Sequence, residues 1–207
     1  MGALGGGTAL ALAAVAVGPT TTTVVPGAIG LRDDYNGDGY PDLAIGVPQT
    51  TSAAVPNADG VRVVYGPAGR PAAPGLQVLD ASKEYTESPV QGYGSVLRSG
   101  DLDADGYADL LSFVRWAPVD GEPGHNVTVN WGGPKGLSTR CTLLLRLPEA
   151  TWTTGFTVRY VDGDEYLDVV TWGSEDGLPR EAGSVRHGPF TRDGLASSVD
   201  QDPQPEH

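Results

Sequence analysis

Asp101-Leu102-Asp103-Ala104-Asp105-Gly106-Tyr107-Ala108-Asp109-Leu110 puts a carboxylate at positions 1, 3, 5 and 9 of one short stretch. A near-copy, Asp34-Tyr35-Asn36-Gly37-Asp38-Gly39-Tyr40-Pro41-Asp42-Leu43, begins 67 residues earlier. In a tight turn the oxygens of Asp34, Asn36, Asp38 and Asp42, or of Asp101, Asp103, Asp105 and Asp109, can converge on one point. Only a cation makes that convergence favourable. Ca²⁺ takes about 6–8 oxygens at about 2.3–2.6 Å, and such a loop supplies most of them. The backbone carbonyls of Tyr40 and Tyr107, at position 7, are the expected further ligands. Glycine at position 6, Gly39 or Gly106, allows the positive φ that a sharp turn needs.

The EF-hand shares this opening pattern but requires a bidentate Glu at position 12 and flanking helices. Position 12 here is Ile45 or Ser112. The flanks Leu43-Ala44-Ile45-Gly46-Val47-Pro48 and Leu110-Leu111-Ser112-Phe113-Val114 are short apolar runs that read as buried strands. A third, altered copy runs Tyr160-Val161-Asp162-Gly163-Asp164-Glu165-Tyr166-Leu167-Asp168-Val169. It keeps Asp162, Asp164 and Asp168 as candidate metal ligands. Tyr160 replaces the first Asp, and Glu165 stands where positive φ is expected. This loop is therefore expected to hold Ca²⁺ weakly or not at all, and the second loop, with four carboxylates, more tightly than the first.

The repeat extends beyond the loops. A second strand ends in glycine in each unit: Val61–Gly66, Val127–Gly132 and Ser184–Gly188. That glycine follows the position-9 Asp by 24, 23 and 20 residues. Further glycines, Gly69, Gly136 and Gly194, close turns, and Gly27 and Gly94 each precede the first loop residue by seven positions. A period near sixty with several strands per unit signals a repeat array.

At these residues the chain resembles the FG-GAP family, the integrin α-chain type of β-propeller repeat. The motifs are Gly92-Tyr93-Gly94-Ser95-Val96, the Asp101–Asp109 loop, the strand opened by Leu110-Leu111, and Val127-Thr128-Val129-Asn130-Trp131-Gly132. Ala44-Ile45-Gly46-Val47-Pro48 is similar to the family's "GAP" segment. The resemblance implies an all-β fold of β-propeller-type blades, three FG-GAP-like repeats in a partial or open propeller. Each repeat is then one four-stranded blade with a calcium loop at one face. The units fall at about 27–90, 91–150 and 151–195, within residues 27–195. Closed propellers have typically about 4–8 blades. Three would leave open ends and edge strands, and self-association through open blade edges is expected.

Thirty Gly and seventeen Pro among 207 residues favour an all-β chain rich in turns. The net charge of −13, with 11 of the 26 acids in the three loops, disfavours nucleic acid or an anionic membrane as partner. An acidic coat for solubility would give the same total. Residues 1–26 read as a signal-like leader and linker. Thr8–Val17 is apolar, too short for a membrane span, and Ala14-Val15-Ala16 fits a cleavage pattern, but Met1–Val17 has no Lys or Arg. A secreted or extracellular location follows from this reading. Residues 196–207 read as a disordered tail.

Cys141 is the single cysteine, so no internal disulfide forms, and it reads as a buried strand thiol. His125, His187 and His207 have no metalloprotease spacing, and no nucleophile elbow or phosphate loop is present. Asn126-Val127-Thr128 is a formal glycosylation sequon on an expected strand. Trp131 and Trp172 read as blade packing. Trp116 and Trp152, near loop ends, read as core or as exposed recognition aromatics. Two functions fit: a non-catalytic calcium-binding extracellular repeat protein, an adhesion or ligand-binding scaffold for a protein or carbohydrate ligand, or an accessory β-propeller module or fragment of a secreted hydrolase. No nucleophile–base constellation is present, which favours the first.

Overall fold

The computed structural model describes residues 33–47, 60–66, 75–80, 90–116, 124–148, 152–175, 178–180 and 184–201. All regular structure among them is β, in three antiparallel sheets that do not close on themselves. The leader at 1–26, Gly27 and Gly69 lie outside the described residues.

The first sheet has the order β1 (Leu43–Val47), β2 (Gly60–Val64), β3 (Leu76–Leu79). The second is built on β6 (Asp109–Trp116), followed outward by β7 (Gly124–Asn130) and β8 (Thr142–Pro148). Its inner strand comes in two pieces, β4 (Val90–Gln91) and β5 (Leu97–Gly100), both paired with β6. Between them, Gly92-Tyr93-Gly94-Ser95 turns out of the ladder, with positive φ at Gly92 and Gly94. The third sheet pairs β9 (Trp152–Arg159) with β10 (Asp168–Glu175), and β10 with β11 (Leu178–Arg180) and β12 (Ser184–His187). β13 (Ser198–Gln201) pairs with β12. That strand lies in the stretch expected as disordered tail. Ladder bonding to β12 holds it, a long-range pairing that its polar sequence does not announce.

The second and third sheets are thus four strands wide, the size of a propeller blade. Each loop enters the strand expected of it: β1 follows Asp42, β6 begins at Asp109 and β10 at Asp168.

Two apolar seams hold the sheets together. Val61, Val63 and Leu79 of the first sheet pack with Tyr93, Leu110, Val114 and Leu137 of the second unit. Leu111, Val127, Val129 and Leu145 of the second sheet pack with Phe156, Val169 and Phe190 of the third unit. Position 2 of a loop wedges each seam: Tyr35 in the first and Leu102 in the second, both buried. The same residues stitch the seams with backbone bonds, since Gly133 N–H donates to the Tyr35 carbonyl (3.0 Å) and Phe190 N–H to the Leu102 carbonyl (2.8 Å). Trp131 is buried in the second seam, as expected, and the Trp172 ring lies over Gly155. Asn126 is fully buried on β7, so the sequon is a ladder residue. Cys141 is half-buried, just ahead of β8.

The glycine after the second strand is sterically required. A Cβ on Gly132 would run into the Ala108 carbonyl and stand 2.9 Å from the Tyr107 Cβ. Gly66 and Gly188 face the equivalent atoms of Pro41 and Tyr40, and of Leu167 and Tyr166. At Gly133 an added Cβ meets nothing within 4 Å. Gly132→Ala is therefore expected to destabilise by about 1–3 kcal/mol through overpacking, and Gly133→Ala to leave stability nearly unchanged. Thermal unfolding of the two variants checks the contrast; equal effects would mean that the close approach is absent.

Candidate metal centres

Each loop hangs on its position-9 aspartate, the residue that starts or precedes the following strand. Asp42 Oδ2 accepts the Tyr35 N–H (2.9 Å) and Oδ1 the Gly66 N–H (2.8 Å). Asp109 repeats this with Leu102 and Gly132, both at 2.8 Å. Asp168 does so with Val161 (2.7 Å) and Gly188 (3.2 Å). One buried carboxylate thus ties the loop to its own beginning and to the end of the neighbouring strand.

Position 1 shapes the turn. Asp34 accepts backbone N–H bonds from Gly37, Asp38 and Gly39, and Asp101 from Asp105 and Gly106. Tyr160 offers no such acceptor and is exposed. Position 6 has positive φ at Gly39 and Gly106, as expected. Glu165 does not share it, so the strain expected there is absent. The left-handed residue that recurs in all three loops is position 4: Gly37, Ala104 and Gly163. Glycine fills it twice, and the pattern was legible at those two positions.

The carboxylates converge in two of the three loops. Oxygens of Asp101, Asp103 and Asp109 lie within 4.8 Å of one another. In the third loop, Asp162 and Asp168 converge over the same span with a residue the sequence reading set aside, His187. Among the described residues no such trio forms in the first loop. There Asn36 occupies position 3, and its amide donates to Asp38 Oδ2 at 3.2 Å. Asp105 leaves the second cluster for Arg192, a cation supplied by the third unit. Its guanidinium bonds Asp103 at 2.8 Å, Asp105 and the Gly132 carbonyl. Asp164 accepts the Tyr166 N–H at 2.8 Å from the exposed rim of its loop. Tyr40 is exposed, and Tyr107 is half-buried with its ring against Gly37 of the first loop.

Burial acts on these acids. Desolvation raises the Asp109 carboxyl to about 8 and the Asp103 carboxyl to about 6, the latter also through the neighbouring Asp105 charge. Asp42 and Asp101 are raised from the same first cause. One oxygen, Asp103 Oδ1, is buried with no hydrogen-bond donor. Buried polar atoms are normally partnered. A buried acceptor left bare in a cluster of three carboxylates is the arrangement that a metal ion completes.

Comparison with known proteins bears on the first unit. Residues 26–65 match the model of the FG-GAP repeat. That stretch is similar to an FG-GAP repeat. The match takes in the first loop, β1 and β2, and the two hydrogen bonds to Asp42 recur at Asp109 and Asp168. FG-GAP repeats are typically non-catalytic scaffolds of the kind found in integrin-type extracellular proteins. No curated protein matches the chain. No described helix is long and apolar enough to cross a membrane.

The raised carboxyls set a pH dependence. Without metal, the folded chain holds protons on Asp109 up to about pH 8, whereas the unfolded chain releases them near 3.8. Between these values the folded state binds more protons, so its stability falls as pH rises, by at most about 1.4 kcal/mol per pH unit for this group. The chelated protein is expected to melt higher at pH 5 than at pH 8. A flat or rising profile in EDTA would show that Asp109 is solvated.

Proposed function

We propose that this chain is a non-catalytic, calcium-binding extracellular repeat protein, in which Ca²⁺ stiffens the loops of stacked FG-GAP-type sheets that present a surface to a protein or carbohydrate ligand. The observation that carries the metal reading is the bare, buried Oδ1 of Asp103, a residue whose carboxylate lies within 4.8 Å of those of Asp101 and Asp109. A hard cation suits this all-oxygen set, and the position-7 carbonyl of Tyr107 lies in the same loop. Secretion rests on the leader pattern and on the family's company. A role as accessory module of a secreted hydrolase is the second reading, and a screen against ester and glycoside substrates separates the two.

Ca²⁺ binds the folded loops and not the unfolded chain, so it stabilises by about 2.7 kcal/mol per site at a hundredfold excess over Kd. EDTA is expected to lower Tm, and Mg²⁺ to restore it poorly, because it resists dehydration. Asp103→Asn removes a ligand and weakens the second loop. Arg192→Gln frees Asp103 and Asp105 and raises Ca²⁺ affinity there by about tenfold, equivalent to about 1.4 kcal/mol. Calorimetry on these variants is the measurement. Melting indifferent to chelator, with no heat of Ca²⁺ binding, would overturn the reading.

We also propose that the open ends join head to tail with a second copy. Leu43, Ile45, Val47, Leu76 and Val78 make an exposed apolar face on the first sheet, the side away from the seam. At the other end Val161 occupies the wedge position that Tyr35 and Leu102 fill, yet it is exposed. These are the two halves of one more seam. Two copies would bring six sheets together, within the range of about 4–8 in closed propellers. Light scattering is expected to report a dimer, and Ile45→Asp or Val161→Asp to dissociate it. A monomer at all concentrations, or a dimer untouched by both changes, would count against this.

A further inference from the structure

The third loop lost an oxygen ligand at position 1, where Tyr160 stands, but gained a nitrogen. His187 ends β12 immediately before the repeat glycine Gly188. The equivalent positions in the first two units are Tyr65 and Trp131, which offer no nitrogen lone pair to a metal. Tyr65 Oη accepts the Leu137 N–H of the second unit at 2.8 Å, and Trp131 Nε1 donates to Thr142 Oγ1 of its own sheet at 3.0 Å. His187 stands beside the acids of its own loop. Its Nδ1 stands 3.1 Å from Asp162 Oδ2 and 3.3 Å from Asp168 Oδ1.

The other ring nitrogen decides what Nδ1 can do. Nε2 lies 3.1 Å from Asp200 Oδ2, on β13. A carboxylate only accepts, so Nε2 carries the proton in this contact and the neutral ring presents a lone pair at Nδ1. That atom is buried and makes no hydrogen bond, and the side chain as a whole is only 10% exposed. A buried lone pair aimed at two carboxylate oxygens is repulsive unless a proton or a metal cation lies between them. A carboxylate bonded to the far nitrogen of an imidazole is the arrangement that fixes ring and tautomer in metal-binding histidines.

We propose that Asp162, Asp168 and His187 form a site for a borderline divalent transition ion of the Zn²⁺ class, distinct in chemistry from the oxygen-only loops. The donor set is one nitrogen and two oxygens, with room for a water or Asp164 as fourth ligand. Imidazole suits Zn²⁺ and its neighbours, whereas Ca²⁺ takes oxygen. The spacing fits: two ligands at about 2.0–2.1 Å on a tetrahedral ion stand about 3.3 Å apart. The selection comes from the nitrogen. Asp200 positions the ring and does not touch the ion. The site stands independently of the calcium reading of the first two loops.

The test uses Co²⁺ and Zn²⁺ on the full chain. One Co²⁺ is expected to bind with the visible absorption of a four-coordinate nitrogen–oxygen site, and Zn²⁺ to displace it while excess Ca²⁺ does not. His187→Ala and Asp162→Asn are each expected to abolish the band. Asp162 lies on an exposed loop, so its variant keeps the fold if the histidine change does not. Asp200→Asn is expected to weaken Zn²⁺ binding about 10–100-fold, the range for loss of a residue that orients a ligand. Calcium heats measured on the same samples separate the two readings: Ca²⁺ uptake without a Co²⁺ band overturns this site alone, and a Co²⁺ band without Ca²⁺ uptake overturns the calcium reading alone. A band that survives both His187→Ala and Asp162→Asn would place the ion elsewhere and sink the proposal.

Discussion

The structure turns on one buried carboxylate per unit. Asp42, Asp109 and Asp168 each spend one oxygen on the start of their own loop and the other on the glycine after the second strand. Taking a carboxylate out of water is costly unless it is paired and hydrogen-bonded. Two backbone donors offset part of that cost, and the rise of Asp109 to about 8 measures what is left over. A protein that keeps such a group ionised at neutral pH needs positive charge beside it. The loop, the ladder and the call for a cation are therefore one constraint and not three.

That constraint passes from sheet to sheet. The N–H that Asp42 fixes belongs to Tyr35, whose ring fills the first seam and whose carbonyl receives Gly133 of the next unit. Leu102 repeats the arrangement toward Phe190. Whatever orders a loop thereby orders the contact between neighbouring sheets. Arg192 adds a second link: it reaches from the third unit onto Asp103 and Asp105, so the charge of the second loop is shared with the seam it borders.

The all-β fold, the three units and the strand after each loop were legible because they rest on local spacing: a short loop, an apolar run, a glycine at a set distance. What the sequence hid is contributed from afar. Arg192 lies 89 residues from Asp103, and no local pattern marks it. His187 carried a signal, since it holds the place of Tyr65 and Trp131 in the repeat, but its approach to Asp162 and Asp168 is a contact across more than 18 residues that no local pattern marks. β13 escaped because a polar edge strand is held by ladder bonds to its neighbour and not by its own pattern. Glu165 was misread because the left-handed residue common to all three loops is position 4, with position 6 joining it only in the first two.

The three loops are one scaffold with three charge solutions. The first replaces a carboxylate with the Asn36 amide, which lowers repulsion and gathers no close trio of acids. The second keeps four carboxylates and offsets two with a guanidinium from the next unit. The third drops its first acid and brings in an imidazole held by Asp200. In each case the position-9 aspartate and its glycine stay fixed while the partners around them change. Bonds that hold the fold tolerate little variation, because a misplaced donor leaves a buried charge unpaired. Ligands on the loop rim face solvent and can be exchanged one at a time. The charge around each loop can therefore differ along the array with no change in how the sheets are built or stacked.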